Sequence, residues 1–349
     1  MSADLSRLVD VVEAFPRQTI ALLGDFVADE FLYGEISRVS REAPVLILRH
    51  RETQLLPGGG ANAANNLADL GARVLPVTAV GDDPCGRALI EYFRRKGVDT
   101  SAMARVPHWT TPTKSRYLAG WTHTSSQQVL RVDREPPGEL PPRVRALLLR
   151  NARERLRRPE TSGLLISDYG CGVATPALVR ELQGRLRDAK LTTVDSRHAL
   201  LGYRGARITA ATPNEPELEA LHQARIGHDR AALERLAGRT LRRMKLQALV
   251  VTRGKDGMVV FEPRRKPHYI PIYGTDQVAD VTGAGDTVIA VFTLALAAGA
   301  TFVEAAHLAN YAGGMVVMKR GTASVTREEL LAAIRSDATG RPADRPTTP

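Results

Sequence analysis

The stretch DVTGAGDT, residues 280–287, is followed by the apolar run VIAVFTLALAA, residues 288–298, and then by Gly299. A run of this length and composition predicts a buried helix, and the glycine after it is a typical helix end. The small residues of the first stretch therefore lie at the N-terminus of that helix. The fold and its chemistry are organised around this helix N-terminus.

Gly283, Ala284 and Gly285 are placed where free backbone N–H groups and the positive end of the helix dipole favour an anion. Their lack of side-chain bulk lets a phosphate approach the backbone closely. Asp286 follows at once, in a position to accept a proton from a hydroxyl that attacks a phosphoryl group. Taken alone, such a short motif is also compatible with a glycine-rich turn and an ordinary aspartate in the first helical turn.

Length and composition narrow the class of protein. The chain has 349 residues, of which 43% are hydrophobic and 25% charged, as in soluble globular proteins of one large domain or two modest ones. Its two cysteines, Cys85 and Cys171, allow neither a disulfide framework nor a cysteine-based zinc site. Without an apolar N-terminal segment or a membrane-length apolar run, the sequence predicts a cytoplasmic protein without a membrane partner.

The formal net charge of +10 comes mainly from arginines spread along the chain. Nucleic-acid binding is one interpretation, but the sequence has no basic tail, zinc finger or aromatic RNA-binding motif. We therefore predict a solvated basic surface and no nucleic-acid partner, with a few of the arginines serving an anionic substrate.

From residue 140 onward, buried strands and amphipathic helices alternate, which indicates a parallel sheet with crossover helices. The predicted fold is α/β, a doubly wound and mostly parallel sheet over residues 1–335, followed by a disordered tail at 336–349. The first buried strand, residues 18–24, ends just before Asp29. Because ligands gather at the carboxyl ends of strands, Asp29 is a candidate ligand for sugar hydroxyls, although it could simply cap a loop.

Residues 33–56 and 110–134 are rich in β-formers and predict a small sheet that covers the main domain as a lid. Lys114, Arg116 and Arg131 place cations on it, as a phosphorylated substrate would require. Solvated charges on an edge strand are the alternative. Between these segments, the triple glycine at 58–60 opens a helix that carries Asn62, and its spacing fits neither a Walker A loop nor a Rossmann fingerprint.

Three motifs occur in a fixed order: GGGAN at 58–62, PNEPE at 213–217 and DVTGAGD at 280–286. Together they resemble the signature regions of the ribokinase-like (PfkB) carbohydrate kinases, over roughly residues 18–335. Finer features resemble the D-glycero-β-D-manno-heptose-7-phosphate kinases, which make heptose 1,7-bisphosphate for lipopolysaccharide precursors. These are SRVSREAP at 37–44, QQ at 127–128, SDY at 167–169 and GDTVI at 285–289. Many such kinases are fused to a nucleotidyltransferase domain, whereas this sequence resembles a stand-alone kinase module.

The resemblance implies a role for each matched residue. Asp286 would be the base, with Gly283, Ala284 and Gly285 as the anion hole. The residues for ATP and its phosphates would be Asn214, Glu217, Thr252, Gly254 and Asn310, with Glu217 holding Mg²⁺ directly or through water. Sugar hydroxyls would be held by Asp29, Gly59 and Asn62, and we add Arg38, Lys114 and Arg116 for the substrate phosphate. A potassium-like ion near residues 280–282 is common in the family.

Two positions depart from the heptose kinase pattern. Cys171 occupies a place where a lysine is expected, and Ser196-Arg197 stands where the pattern has Pro-Lys. Either Arg197 takes over the cationic role or the pocket serves another sugar phosphate, because arginine and lysine are not interchangeable at a tight phosphate site. Other sugar or nucleoside kinases, and a catalytically silent sensor on the same fold, remain alternatives.

The lid also bears on assembly. Lids of this family often pair between subunits, and the apolar strand at 45–48 needs a partner, so we expect a homodimer through the lid.

Overall fold

The computed structural model describes residues 4–120, 127–186, 190–274, 280–319 and 323–339. The strands in chain order are β1 Thr19–Gly24, β2 Phe26–Val39, β3 Leu46–Gly59, β4 Arg73–Gly81, β5 Met103–Val106, β6 Thr113–Gly120, β7 Gln127–Arg134, β8 Thr161–Asp168, β9 Leu191–Ser196, β10 Ala210–Ala211, β11 Ala248–Thr252, β12 Met258–Phe261 and β13 His268–Ile270. The α-helices are α1 Leu5–Glu13, α2 Gly60–Asp69, α3 Pro84–Arg95, α4 Pro142–Arg157, α5 Pro176–Gly184, α6 Glu215–His222, α7 Arg230–Met244, α8 Ala284–Ala297, α9 Phe302–Val317 and α10 Arg327–Thr339.

The main sheet has nine strands in the order β13-β12-β11-β10-β9-β8-β1-β4-β5. The pairs from β11 through β5 are parallel, and only β12 and β13 join antiparallel at one edge. Strand β1 is buried along its whole length, as expected for a parallel strand covered on both faces. The predicted doubly wound, mostly parallel α/β fold is confirmed.

Alternate residues of β1 enter two separate hydrophobic cores. Ile20 and Leu22 pack in the core that contains α2, α8 and α9, whereas Ala21 and Leu23 pack in the core that contains α4, α5 and α7. This period of two follows from the strand pleat, which points successive side chains to opposite faces. Helix α8 is apolar all round because it lies inside the first core, and the sequence predicts it correctly as a buried helix.

The predicted lid is a separate sheet of four strands in the order β3-β2-β6-β7. Strand β2 pairs antiparallel with β3 and parallel with β6. The lid begins earlier than the predicted 33–56, because β2 starts at Phe26 and only Asp25 separates it from β1. Asp29 therefore lies within a lid strand rather than in a loop after the first strand.

Helix α10 carries the chain four residues past the predicted domain boundary at 335, and Arg335 pairs there with Glu13 of α1. The rest of the predicted tail, residues 340–349, lies outside the described residues. Within the described ranges, no helix is long and apolar enough to cross a membrane.

Candidate active site

Polar side chains converge at the carboxyl edge of the main sheet. Asp25 follows β1, Tyr169 follows β8, Asp195 lies near the end of β9, and Thr252 ends β11. The N-terminus of α8 opens at the same edge, since Tyr169 bonds directly to Asp286 in its first turn. This is the edge at which open α/β sheets bind ligands.

The α8 N-terminus has the features that an anion site requires. Gly283 is the N-cap with φ of +79°, a conformation that glycine adopts without strain. Among the hydrogen bonds of the described residues, none uses the N–H of Gly285 or of Asp286. A Cβ built on Gly285 would meet no atom of the described residues within 4 Å, so open space adjoins this turn of α8.

Asp286 is buried, with 2% of its surface exposed. Tyr169 Oη donates to its Oδ1 at 2.7 Å, and Asn62 Nδ2 donates to its Oδ2 at 3.1 Å. Burial raises the pKa of Asp286 to about 7, although these two hydrogen bonds and Lys114 oppose the rise. A carboxylate with this pKa is well matched to accepting a proton near neutral pH.

A chain of amides fixes Asn62 in this orientation. Asn66 Nδ2 donates to Asn62 Oδ1 at 3.1 Å, and Thr287 Oγ1 donates in turn to Asn66 Oδ1 at 3.1 Å. Asn62 also donates to the carbonyl of Gly283 at 3.2 Å. These bonds join α2 to the start of α8, and they settle which atom of Asn62 faces the carboxylate.

On the lid side, Asp29 and Arg116 form a buried ion pair with 2.5 Å between Oδ1 and Nη1. A Cβ on Gly58 would collide with the Asp29 carboxylate, so glycine is required there for close approach. Lys114 is paired in register with Asp29, and its Nζ lies 5.1 Å from the centre of the Tyr169 ring. Burial and the nearby Arg197 lower the pKa of Lys114.

The structure therefore brings together Asp29, Asn62, Lys114 and Arg116 around Asp286. Gly59 is the N-cap of α2, adjacent to this group. Arg38 is different: it is exposed near the outer end of β2, nine residues beyond Asp29. At about 3.3 Å per residue this is roughly 30 Å of strand, so Arg38 of the same chain does not reach the site.

Asn214 and Glu217 form a capping box at the start of α6. Glu217 N donates to Asn214 Oδ1 at 2.8 Å, and Asn214 N donates to Glu217 Oε2 at 2.9 Å. The motif therefore caps the N-terminus of α6, a structural role in addition to the predicted role in nucleotide binding. Burial raises the pKa of Glu217, while the Asn214 N–H, Arg197 and His198 oppose the rise.

The other predicted nucleotide residues lie along the same side. Thr252 forms a parallel bridge with Asn214, and Gly254 follows at a turn with φ of +54°. Asn310 lies on α9 and donates to the carbonyl of Pro271 at 2.8 Å. These contacts place the three residues around the ends of β11 and β13, but Asn310 uses its amide to hold a loop.

Three residues of this region were absent from the predicted site. The Asp25 carboxylate accepts four backbone N–H bonds from residues 169–174, and burial raises its pKa to about 6. Tyr169 bonds the predicted base. Burial and then Glu217 and Asp286 raise the pKa of Asp195. All three follow or end buried strands, a signal the sequence analysis applied to Asp29 but not to them.

The acidic side chains do not form a metal cage by themselves. Within the described part of the chain, no group of three or more potential ligands is close enough to hold an ion. Magnesium does not need one, because it commonly binds through one or two carboxylates together with water and substrate phosphates. Glu217 fits such a site, and its charge is the largest electrostatic influence on the neighbouring Asp195.

The buried carboxylates predict an unusual dependence of stability on pH. The pKa values of Asp25 and Asp286 rise to about 6 and about 7, so the folded state holds protons that the unfolded state releases above pH 4. Stability should therefore fall as pH rises towards 7. The Asp286→Asn variant lacks one such group, so its stability should fall less with pH than that of the wild type. The difference in unfolding free energy, variant minus wild type, should increase between pH 5 and 7 by up to about 1.4 kcal/mol per pH unit. Urea denaturation at pH 5, 6, 7 and 8 measures this, and a difference that does not change with pH would contradict the assignment.

A buried carboxylate beside a helix N-terminus, at the carboxyl edge of a doubly wound sheet, is an arrangement suited to phosphoryl transfer. A family model described as the pfkB family carbohydrate kinase matches residues 20–125 and 182–329. The chain belongs to this family, as the three motifs predicted, and is a phosphotransferase with a carbohydrate acceptor.

Curated relatives point in the same direction. The "Bifunctional protein HldE" of Geobacter metallireducens is 39% identical over 329 residues, which are 93% of this chain and 65% of that protein. The protein of the same name from Desulfatibacillum aliphaticivorans is 37% identical over 326 residues, 93% of this chain and 64% of the relative. The chain thus spans just under two thirds of the length of these relatives.

Solved structures show the same fold. Arabidopsis thaliana ribokinase, complexed with ribose and ATP, has a TM-score of 0.70 and 18% identity, covering 91% of this chain and 98% of that chain. Phosphofructokinase-2 from Escherichia coli, in complex with potassium, has a TM-score of 0.71 and 18% identity, covering 92% and 99%. At this level of identity the likeness concerns the fold alone.

Proposed function

We propose that the protein is an ATP-dependent kinase for a sugar phosphate, acting on the anomeric hydroxyl of D-glycero-β-D-manno-heptose 7-phosphate to form the 1,7-bisphosphate. The observation that carries this proposal is the position of Asp286. Its carboxylate lies in the first turn of α8, next to the N–H groups of Gly285 and Asp286, and it interacts electrostatically with the lid residues Asp29 and Lys114. The resemblance of the finer motifs supports the heptose, and another sugar, sugar phosphate or nucleoside is the alternative acceptor.

The part of the site that would bind the sugar phosphate supplies hydrogen bonds and positive charge. Asp29 and Asn62 offer a carboxylate and an amide to sugar hydroxyls, while Lys114 and Arg116 bring cations to the same face of the lid. Arg116 is already paired with Asp29, so Lys114 is the better candidate for the substrate phosphate. Arg38 could take part only from a second chain.

The nucleotide side is proposed to bind ATP along the ends of β10 and β11, with Mg²⁺ held through Glu217. The bound Mg²⁺ would neutralise charge on the phosphates. Asn214 and Thr252 are adjacent there, which supports one continuous phosphate-binding edge. A potassium ion near residues 280–282 is part of the proposal, because phosphofructokinase-2 was solved in complex with potassium. In this chain, Asp280 Oδ1 accepts the N–H of Thr282 at 2.9 Å.

In the proposed reaction, Asp286 accepts the proton of the attacking hydroxyl and the N–H groups of Gly285 and Asp286 stabilise the transferred phosphoryl group. Within the described part of the chain, each Asp286 oxygen accepts one hydrogen bond, which leaves further lone pairs for the acceptor hydroxyl. The lid excludes water, a competing acceptor.

The two departures from the heptose kinase pattern have different consequences. Arg197 lies with its guanidinium 5.7 Å from the centre of the Tyr169 ring, so a cation is present beside the site despite the exchange of lysine for arginine. Burial raises the pKa of the Cys171 thiol to about 12, so the thiol stays neutral and does not replace the charge of a lysine. The pocket therefore retains one of the two expected cations.

The test is release of ADP with Mg·ATP against a panel of acceptors: D-glycero-D-manno-heptose 7-phosphate, fructose 6-phosphate, ribose, fructose and adenosine. We expect turnover with the heptose phosphate and at least tenfold lower kcat/KM with the others. Turnover with only another acceptor of the panel would support the proposed kinase activity with a different substrate. No turnover with any acceptor, while ATP still binds, would favour a silent sensor.

We also propose that two chains pair through their lids, in a cytoplasmic homodimer. Among the described residues, the exposed large hydrophobic side chains are concentrated on the lid: Val39, Val45, Leu46, Val129, Leu130 and Val132. Leu130 and Val132 point to the same face of β7, since they pair with Tyr117 and Ser115. A cluster of this kind marks an interaction surface.

Leu130→Glu is expected to convert the dimer to a monomer, because it places a charge in the apolar contact. Light scattering after size exclusion measures the mass, and Met318→Glu, which changes an exposed hydrophobic residue outside the lid, serves as the matched control. A wild-type protein that is monomeric at micromolar concentration would refute the proposed assembly.

A further inference from the structure

Tyr169 lies next to four charged residues of the candidate active site. Its hydroxyl donates to Asp286 Oδ1 at 2.7 Å, and its backbone N–H donates to the buried Asp25 at 2.8 Å. Its ring lies under two cations, Lys114 at 5.1 Å and Arg197 at 5.7 Å from the ring centre. The residue thus bonds both Asp286 and Asp25, and its ring lies beside the two nearby cations.

The chemistry of the two groups determines which of them donates in the hydrogen bond between Tyr169 and Asp286. An ionised Asp286 has no proton to donate, so the phenol is the donor. Burial and the neighbouring Asp286 raise the pKa of Tyr169 well above its usual value of 10, so the phenol keeps its proton at every pH at which the enzyme would work. A charge-assisted bond of this kind favours the ionised carboxylate.

The backbone of Tyr169 is fixed independently of its side chain. Asp25 accepts N–H bonds from Tyr169, Cys171, Val173 and Ala174, which determine the course of the loop after β8. Asn62 holds the other oxygen of Asp286 from α2. The carboxylate is therefore held at both oxygens by two different elements of the fold.

We infer that Tyr169 is a positioning residue for the phosphoryl transfer: its hydroxyl orients Asp286 towards the acceptor, and its ring holds Lys114 and Arg197 beside the same substrate. Both cations lie within the distance at which an aromatic face attracts them, which offsets part of their mutual repulsion. This inference rests on the proposed function, because it assigns Asp286 as the base.

Tyr169→Phe tests the hydroxyl and retains the ring. The charged and titratable groups that face Asp286 are Asp29, Lys114, Asp195 and Tyr169 itself, and only the last is changed. Losing the donor should raise the pKa of Asp286, so the acid limb of the kcat/KM profile should move upward by about one pH unit, equivalent to about 1.4 kcal/mol. KM for the phosphorylated acceptor should stay within about twofold of wild type.

Tyr203→Phe is the matched control. The Tyr203 hydroxyl also donates to a buried carboxylate, Asp168, at 2.9 Å, but it does not contact Asp286. Its removal should leave the acid limb in place even if stability falls. Tyr169→Leu removes the ring as well and should raise the acceptor KM about tenfold in addition to moving the limb.

A titration that needs no substrate separates this inference from the proposed function. The carboxyl carbon of Asp286, labelled with ¹³C and identified by its absence in Asp286→Asn, reports the same pKa in the free protein. A wild type inactive towards the whole acceptor panel would defeat the proposed function alone, and the titration would still decide on Tyr169. An unchanged Asp286 pKa in Tyr169→Phe would overturn the inference, whereas an upward shift of about one unit would support it.

Discussion

Asp286→Asn is expected to lower kcat by about 10²–10⁴, the range that general-base catalysis contributes. The asparagine cannot accept the proton of the acceptor hydroxyl, although it has nearly the same shape as the aspartate. Its amide oxygen can still accept the Tyr169 hydroxyl, and the loss is limited to one hydrogen bond, because its NH₂ group would meet the donor NH₂ of Asn62. The variant should therefore fold and bind ATP with little transfer of the phosphoryl group.

Single-turnover kinetics with the preferred acceptor measure this loss, with ATP affinity and circular dichroism as controls. If the variant keeps more than about a tenth of the wild-type rate, Asp286 is not the base, because the loss is then smaller than any typical general-base contribution. A variant that loses ATP binding as well would show a structural rather than a catalytic role for the carboxylate.

Gly285→Ala is expected to have opposite effects on stability and on activity. Gly285 is in the first turn of α8, and a Cβ there meets nothing within 4 Å. Alanine is the better helix former, so the free energy of unfolding should rise by up to about 1 kcal/mol. The new methyl group would enter the open space beside this turn, where we propose that the phosphoryl group binds, and kcat should fall by about 10²-fold, as when one anion-hole donor is lost.

Gly238→Ala provides the matched control. Gly238 lies in α7, and its Cβ would approach only the end of the flexible Arg242 side chain, at 3.3 Å. The same exchange in this helix should stabilise the protein similarly and leave kcat unchanged. If Gly285→Ala kept full activity, the open space at the α8 N-terminus would not be the phosphoryl site.

We expect Gly285→Ala to stabilise the protein and to lower its activity because the site is arranged to bind a substrate rather than to stabilise the fold. Among the described residues, the N–H groups of Gly285 and Asp286 have no acceptor, and the structure buries a carboxylate whose pKa is raised to about 7. Both features cost folding free energy, and both are useful only when a substrate is present.

Elements with strong local signals could be predicted from the sequence. The apolar run after Asp286 predicts α8, because a helix buried on all sides has no polar face, and the alternation of strands and helices predicts the parallel sheet. The order of the three motifs was sufficient to identify the family, which the family model confirms.

Which side chains meet depends on how the whole chain folds. Tyr169 and Asp286 are 117 residues apart, and Asn62 and Asp286 are 224 apart, yet both bonds converge on one carboxylate. Arg38 and Lys114 have equal claims as cations in the sequence, but the register of β2 with β6 places Lys114 beside Asp29 and leaves Arg38 at the outer end of the lid. Local sequence specifies helices and strands through periodicity, whereas contacts between distant residues depend on strand order and register, which follow from the packing of the whole chain.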